Sequence, residues 1–154
     1  MEFRKIDRSN YWECMELTVD DSQKDFVADN KQSLVEAAYE ENLYTLGIYC
    51  QDTMVGFILY DYDDQIPGWS MSRFMIGKQY QGKGYGKRLM EYARDKKHMD
   101  KVDVNEQNEK ALSFYLHMGF QIIGRDETDG MGKPYPILHL QLKEATVEKS
   151  KSKG

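Results

Sequence analysis

Gln81-Gly82-Lys83-Gly84-Tyr85-Gly86 sets three glycines at alternate positions, between an apolar run ending at Ile76 and an amphipathic stretch that starts near Lys87. Glycines spaced in this way leave main-chain N–H groups bare and free to adopt positive φ. A helix beginning there adds its unpaired first-turn N–H groups and the positive end of its dipole. Such a turn is chemically a seat for phosphate or pyrophosphate. Spacing then discriminates among phosphate loops. From Gly77 the row reads G-x-x-x-x-G-K-G, with Gly84 where a P-loop needs a Ser or Thr hydroxyl for Mg²⁺. A dinucleotide turn G-x-G-x-x-G starting at Gly82 meets Lys87 instead of its third glycine, and no acidic residue ends a second strand at the expected distance. Both alternatives fail.

Gln81-x-x-Gly84-x-Gly86 resembles the acetyl-CoA signature, Q/R-x-x-G-x-G/A, of the GNAT N-acetyltransferase superfamily. Residues 101–120, with Asn108, Ala111, Phe114, Tyr115, Gly119 and Phe120 in place, resemble its second half-site, N-x-x-A-x-x-F-Y-x-x-x-G-F. The resemblance implies acetyl-CoA as cofactor. It assigns main-chain groups of Phe74, Met75 and Ile76 to the pantetheine arm, and the segment Gln81, Gly82, Lys83, Gly84, Tyr85, Gly86 and Lys87 to the pyrophosphate. It likewise gives Asn108 the role of contacting the cofactor arm and Tyr115 that of protonating the departing thiolate. Asn108 and Tyr115 are seven residues apart, almost two helical turns, so both face one side of their helix. A phenol of pKa about 10 keeps its proton at neutral pH and can give it to a thiolate. Their plainer roles are a helix cap for Asn108 and aromatic packing for Tyr115.

The nucleophile is then an amine. An alkylamine of pKa about 10.4 is neutral in roughly one molecule in 10³ at pH 7, a penalty of roughly 4–5 kcal/mol, so a proton acceptor or a water chain is expected. The strand before the glycine loop reads Met71-Ser72-Arg73 and offers no carboxylate. Acid is plentiful elsewhere: Asp20, Asp21, Asp25 and Asp29, then Glu36, Glu40 and Glu41, then Asp61, Asp63 and Asp64. Leu17-Thr-Val-x-x-x-Gln23-x-x-Phe26-Val27-Ala28, followed by Ser33-Leu34-x-Glu36-Ala37, resembles the N-terminal half of bacterial spermine/spermidine acetyltransferases. On that resemblance a polyamine is the favoured acceptor, with Glu36, Glu40, Asp21 and Asp61 as its binding carboxylates and Glu36 first among them. Surface solvation is the alternative for each. An acetyltransferase of a protein or aminoglycoside amine, and a non-catalytic acetyl-CoA sensor, are the competing functions.

Strands are expected at 2–6, 44–50, 54–60, 69–76, 102–104, 120–124 and 136–142. Helices are expected from a cap at Asp7 or Ser9 to about Val19, from a cap at Asn30 with Leu34, Ala37, Ala38 and Tyr39 inward, from the glycine loop to about Lys97, and from Asn108 to His117. Trp12, Met15 and Leu17 are the apolar positions of the first helix. That order matches an α/β (α+β) GNAT fold, a mixed, mostly antiparallel twisted sheet of six or seven strands with helices on both faces. Residues 1–142 form the single domain, and 143–154, rich in Lys, Ser and Glu, read as a flexible polar tail.

Composition adds exclusions. The chain has 154 residues and net charge −5, and its last dozen residues hold four lysines against two glutamates, so the body is more acidic still. An acidic body disfavours nucleic acid and favours a small cationic partner. No 18-residue apolar run suggests a membrane, and Cys14 and Cys50 have no metal or disulfide-framework spacing, which points to a cytoplasmic setting. His98, His117 and His139 show no metal-ligand spacing and read as surface or satisfied residues, so no metal is expected. A homodimer is compatible with the family resemblance.

Overall fold

The structure, a computed structural model, describes residues 1–26, 28–64, 67–129 and 132–142. Val27 of the N-terminal pattern, Gly130 of the last loop and the tail 143–154 lie outside the described residues. The strands are β1 (Glu2–Lys5), β2 (Tyr44–Cys50), β3 (Thr53–Asp63), β4 (Gly68–Ile76), β5 (Met99–Asn105), β6 (Phe120–Asp126) and β7 (Ile137–Leu142). The helices are α1 (Tyr11–Glu16), α2 (Asn30–Tyr39), α3 (Tyr85–Lys97) and α4 (Glu109–His117). One sheet of seven strands runs in the order β1-β2-β3-β4-β5-β7-β6, antiparallel throughout except for the parallel pair β4–β5. This is the mixed, mostly antiparallel GNAT sheet that the element order implies.

Strand alternation gives each face of the sheet its own core. On one face Ile48, Val55, Ile58, Met71 and Val102 pack under Leu89, Met90 and Ala93 of α3 and Tyr115 of α4. On the other, Tyr49, Met54, Phe57, Leu59 and Met75 pack under Cys14 of α1 and Leu34 and Ala37 of α2. Helices therefore cover both faces. None among the described residues is long and apolar enough to cross a membrane.

Several local expectations shift. The first helix stops at Glu16, because Leu17 adopts extended backbone (φ −71°, ψ 128°) and drops its side chain into the core. Trp12 is 62% exposed rather than packed. Asp29, not Asn30, caps α2, accepting the Gln32 N–H at 2.8 Å. Asn30 is buried and donates its side-chain amide to the Cys14 carbonyl at 2.8 Å, tying α2 to the end of α1. That tie rotates α2 so that Ser33, Leu34 and Ala37 face in while Ala38 and Tyr39 face solvent. β3 runs on to Asp63, so Asp61 and Asp63 are strand residues, paired with Ser70 and Gly68, not members of a loop.

Candidate active site

The parallel pair is short. Trp69 faces Met99, Ser70 faces Lys101 and Met71 faces Val102, and there the pairing stops. Beyond that point β4 pairs with β3 alone, while β5, from Asp103 onward, pairs with β7. A bulge marks the fork: Leu59 faces Arg73 and Tyr60 faces Met71, so Ser72 is an extra residue on β4. The Gly77 N–H donates to the Val55 carbonyl at 2.9 Å, which makes Gly56↔Ile76 a pair that exchanges no hydrogen bonds. By alternation the main-chain groups of Phe74 and Ile76 turn away from β3 into the gap. Met75 differs: its main-chain groups turn back toward Phe57, and its side chain is buried in the core under α1 and α2.

The Ile76 carbonyl accepts Gln81 Nε2 at 2.9 Å, while Lys110 Nζ donates to Gln81 Oε1 at 3.3 Å. Long contacts of 3.4 and 3.5 Å continue from Gln81 through Gln23 to Asn108 Oδ1. Gln81 is therefore a side-chain brace across the gap, and its own N–H leans on the Lys78 carbonyl at 3.4 Å. The N–H groups of Gly82, Lys83, Gly84, Tyr85, Gly86 and Lys87 behave differently, since among the described residues none donates to another backbone group. Gly82 (φ 77°) and Gly84 (φ 79°) are left-handed, and a Cβ at either would meet nothing within 4 Å. Those two glycines serve backbone shape and leave the space above the turn open. Gly86 serves packing instead, because a Cβ there would lie 3.1 Å from Phe114 Cζ. Bare donors, an open approach and the start of α3 fit a pyrophosphate. The groove beside them holds about 310 Å³ and is lined by Phe74, Met75, Ile76, Tyr85 and Lys87 among others, but not by Lys83.

Asn108 is buried and caps α4, its Oδ1 accepting the Ala111 N–H at 3.3 Å. Tyr115 is 4% exposed and wedged edge-on between Phe114 and Phe120, with ring centroids 5.4 and 5.5 Å away. Burial pushes its phenol pKa well up, so the hydroxyl keeps its proton. Both residues, with Phe74 and Ala111, also line a second cavity of about 680 Å³ on the far side of the gap.

That second cavity is acidic. Asp25, Glu36, Asp103, Asp126, Glu127 and Asp129 line it, against Arg73, Lys133 and His139. Glu36 lines it, with its carboxylate gripped by the two terminal Arg73 nitrogens at 2.8 and 3.3 Å and by Gln32 Nε2 at 3.1 Å. The Glu36 and Arg73 charges therefore match each other. Asp21 sits on an exposed turn paired with Lys24 at 2.8 Å, and Glu40 is exposed at the end of α2. Neither lines the cavity. Asp61 is half-buried behind its wall, accepts Ser72 Oγ at 3.1 Å, and has its pKa raised by burial.

His139 emerges as part of the cavity wall rather than as a bystander. Its Nδ1 lies 2.7 Å from Asp103 and its Nε2 2.8 Å from Asp126, and the Asp103 bond leads in pushing its pKa up to about 9. The only sequence trace of this trio was polar residues alternating with valine and leucine, at 103 and 139. Among the described residues no cluster of His, Cys, Asp and Glu has the form of a metal site.

The family model of the acetyltransferase (GNAT) domain matches residues 15–132. The chain is 36% identical over 124 residues to the peptidyl-lysine N-acetyltransferase YjaB of Salmonella typhimurium, an alignment covering 78% of this chain and 81% of that one. It is 25% identical over 143 residues to the spermine/spermidine N(1)-acetyltransferase of Bacillus subtilis, covering 84% and 93%. The solution structure of apo YjaB from Escherichia coli superposes with a TM-score of 0.65 at 28% identity, over 91% of this chain and 95% of that one.

Proposed function

This chain belongs to the GNAT acetyltransferase family and takes its acetyl group from acetyl-CoA; we propose that the acceptor is a primary alkylammonium, foremost a lysine side chain of a protein. The observation that carries the proposal is the junction of the two cavities. Phe74, Asn108, Ala111 and Tyr115 wall both, so a donor in the groove and an amine in the acidic cavity meet beside the Tyr115 phenol.

Acetyl-CoA supplies an acyl group activated as a thioester. The bare N–H groups of Gly82–Lys87 hold the pyrophosphate, and Phe74 and Ile76 present main-chain groups to the pantetheine arm. Asn108 keeps the start of α4 fixed, and Tyr115 delivers its proton to the sulfur as the C–S bond breaks. The acidic cavity gathers the cation and excludes anionic competitors. Lysine is placed first because the 36% identical relative carries peptidyl-lysine in its name. A polyamine is the second reading, favoured by six carboxylates in one lining and by the Bacillus relative. Two free thiols, Cys14 and Cys50, support a reducing, cytoplasmic setting.

Thiol release from acetyl-CoA distinguishes the acceptors, using a lysine-bearing peptide blocked at its N-terminus, spermidine, spermine and an aminoglycoside. Turnover fastest on the peptide is the expected result. Preference for spermidine selects the second reading. Binding of acetyl-CoA with no turnover on any amine contradicts both.

A further inference from the structure

A row of polar side chains crosses the fork from strand to strand. Asp61 on β3 accepts Ser72 of β4, Asp103 stands across the gap on β5, His139 follows on β7 and Asp126 on β6. These residues sit 36 and 13 positions apart along the last three members, so the fold alone assembles them. Asp103 is the first residue of β5 beyond the last pair with β4, and it lines the acidic cavity together with Tyr115, which walls the donor groove as well.

We propose that Asp103 is the residue that receives the acceptor's ammonium and carries off one of its protons, and that His139 is its positioning residue, aiming that carboxylate by bonding Asp103 through Nδ1 and Asp126 through Nε2. The proposal rests on the alkylammonium reading above. Charge and geometry favour Asp103 over its neighbours. Glu36 is spent on Arg73, and Asp61 accepts Ser72 from a half-buried place outside the cavity lining. Asp103 gives one oxygen to His139 and keeps lone pairs for the cavity. Two protons leave the nitrogen between R–NH₃⁺ and the amide while the N–C bond forms and the C–S bond breaks. One ends on the thiol by way of Tyr115, and the other leaves through Asp103 to solvent.

The groups around His139 are Asp103 on β5, Asp126 on β6, Glu127, Asp129 and Lys133 in the loop beyond β6, with Asp61 and Arg73 across the fork. Acid outnumbers base, which is consistent with an imidazole that stays protonated to about pH 9.

The test is turnover of the lysine peptide by wild type, Asp103→Asn and His139→Gln across pH 6.5–10, with acetyl-CoA affinity measured by calorimetry. Asp103→Asn keeps the shape of the side chain. It is expected to lower kcat roughly a hundredfold while acetyl-CoA binds within about threefold of wild type. His139→Gln keeps one donor and is expected to lower kcat roughly tenfold. It should also abolish the fall in kcat/KM expected of wild type above about pH 9 as the clamp opens. A merely structural histidine would lower activity without changing that limb. Asp103→Asn turning over within threefold of wild type overturns the inference and leaves the acceptor reading standing. Wild type inert on every alkylamine overturns both.

Discussion

Replacing Gly84 and Gly86 by alanine, one at a time, separates the two jobs that alternate glycines perform in this loop. Gly84 is left-handed at φ 79° and would place a Cβ in open space, so an alanine there meets no clash and suffers only the backbone penalty. That penalty is about 1–2 kcal/mol. If the chain escapes it by turning φ negative, the peptide planes on either side rotate and one or two N–H groups swing out of the cradle. Each hydrogen bond to a charged oxygen is worth about 1.5–3 kcal/mol, so Kd for acetyl-CoA should weaken roughly ten- to a hundredfold. Gly86 lies inside α3, and its alanine gains up to about 1 kcal/mol of helix propensity while pressing a methyl to 3.1 Å from Phe114 Cζ. Overpacking of this kind costs about 1–3 kcal/mol, and the net loss of stability should be about 0–3 kcal/mol with affinity changed less than about threefold. Urea denaturation and calorimetric titration of acetyl-CoA measure both quantities on the same samples. Wild-type affinity in Gly84→Ala, or a larger loss of affinity in Gly86→Ala than in Gly84→Ala, would refute this division of labour.

Tyr115→Phe should lower kcat by roughly 10²–10⁴-fold with acetyl-CoA affinity nearly unchanged, and equal losses in kcat and affinity would make the ring a packing residue only. Glu36→Gln removes the partner of Arg73, so it should cost about 1–3 kcal/mol in urea denaturation while the acceptor KM moves less than about threefold. A large rise in KM would instead make Glu36 an acceptor anchor. The His139 pKa is raised in the folded state from 6.5 to about 9, so its stabilisation is full below about pH 6.5 and drains away as pH climbs through about 9. The stability gap between wild type and His139→Gln should therefore narrow between those limits, and a gap that widened with pH would contradict the ion pairs drawn here.

Element order and the glycine loop were legible in the sequence because each rests on local signals. Glycine spacing anticipated the left-handed residues at 82 and 84, and Asn108 three positions before Ala111 anticipated a cap that the structure forms. Boundaries governed by tertiary bonds were not legible. Asn30 looks like a cap but is drawn inward to Cys14, leaving Asp29 the cap position. The extension of β3 through Asp61 needed the register with Ser70 and Trp69 across the turn. Charge partners were the least legible of all: Glu36 finds Arg73 at 37 residues' separation and His139 finds Asp103 at 36. Periodicity can place those residues on a face, but only strand order tells which faces meet.

On the proposed function, unpaired amides at the start of α3 receive the diphosphate of acetyl-CoA at a fork that also opens on an acidic cavity. An ¹⁵N-labelled sample titrated with acetyl-CoA tests it at the atoms concerned. The largest amide shifts are expected at Gly82–Lys87, with smaller ones at Phe74, Ile76 and the start of α4. Saturable binding that left the amides of Gly82–Lys87 unmoved, with the shifts gathered elsewhere, would contradict the account.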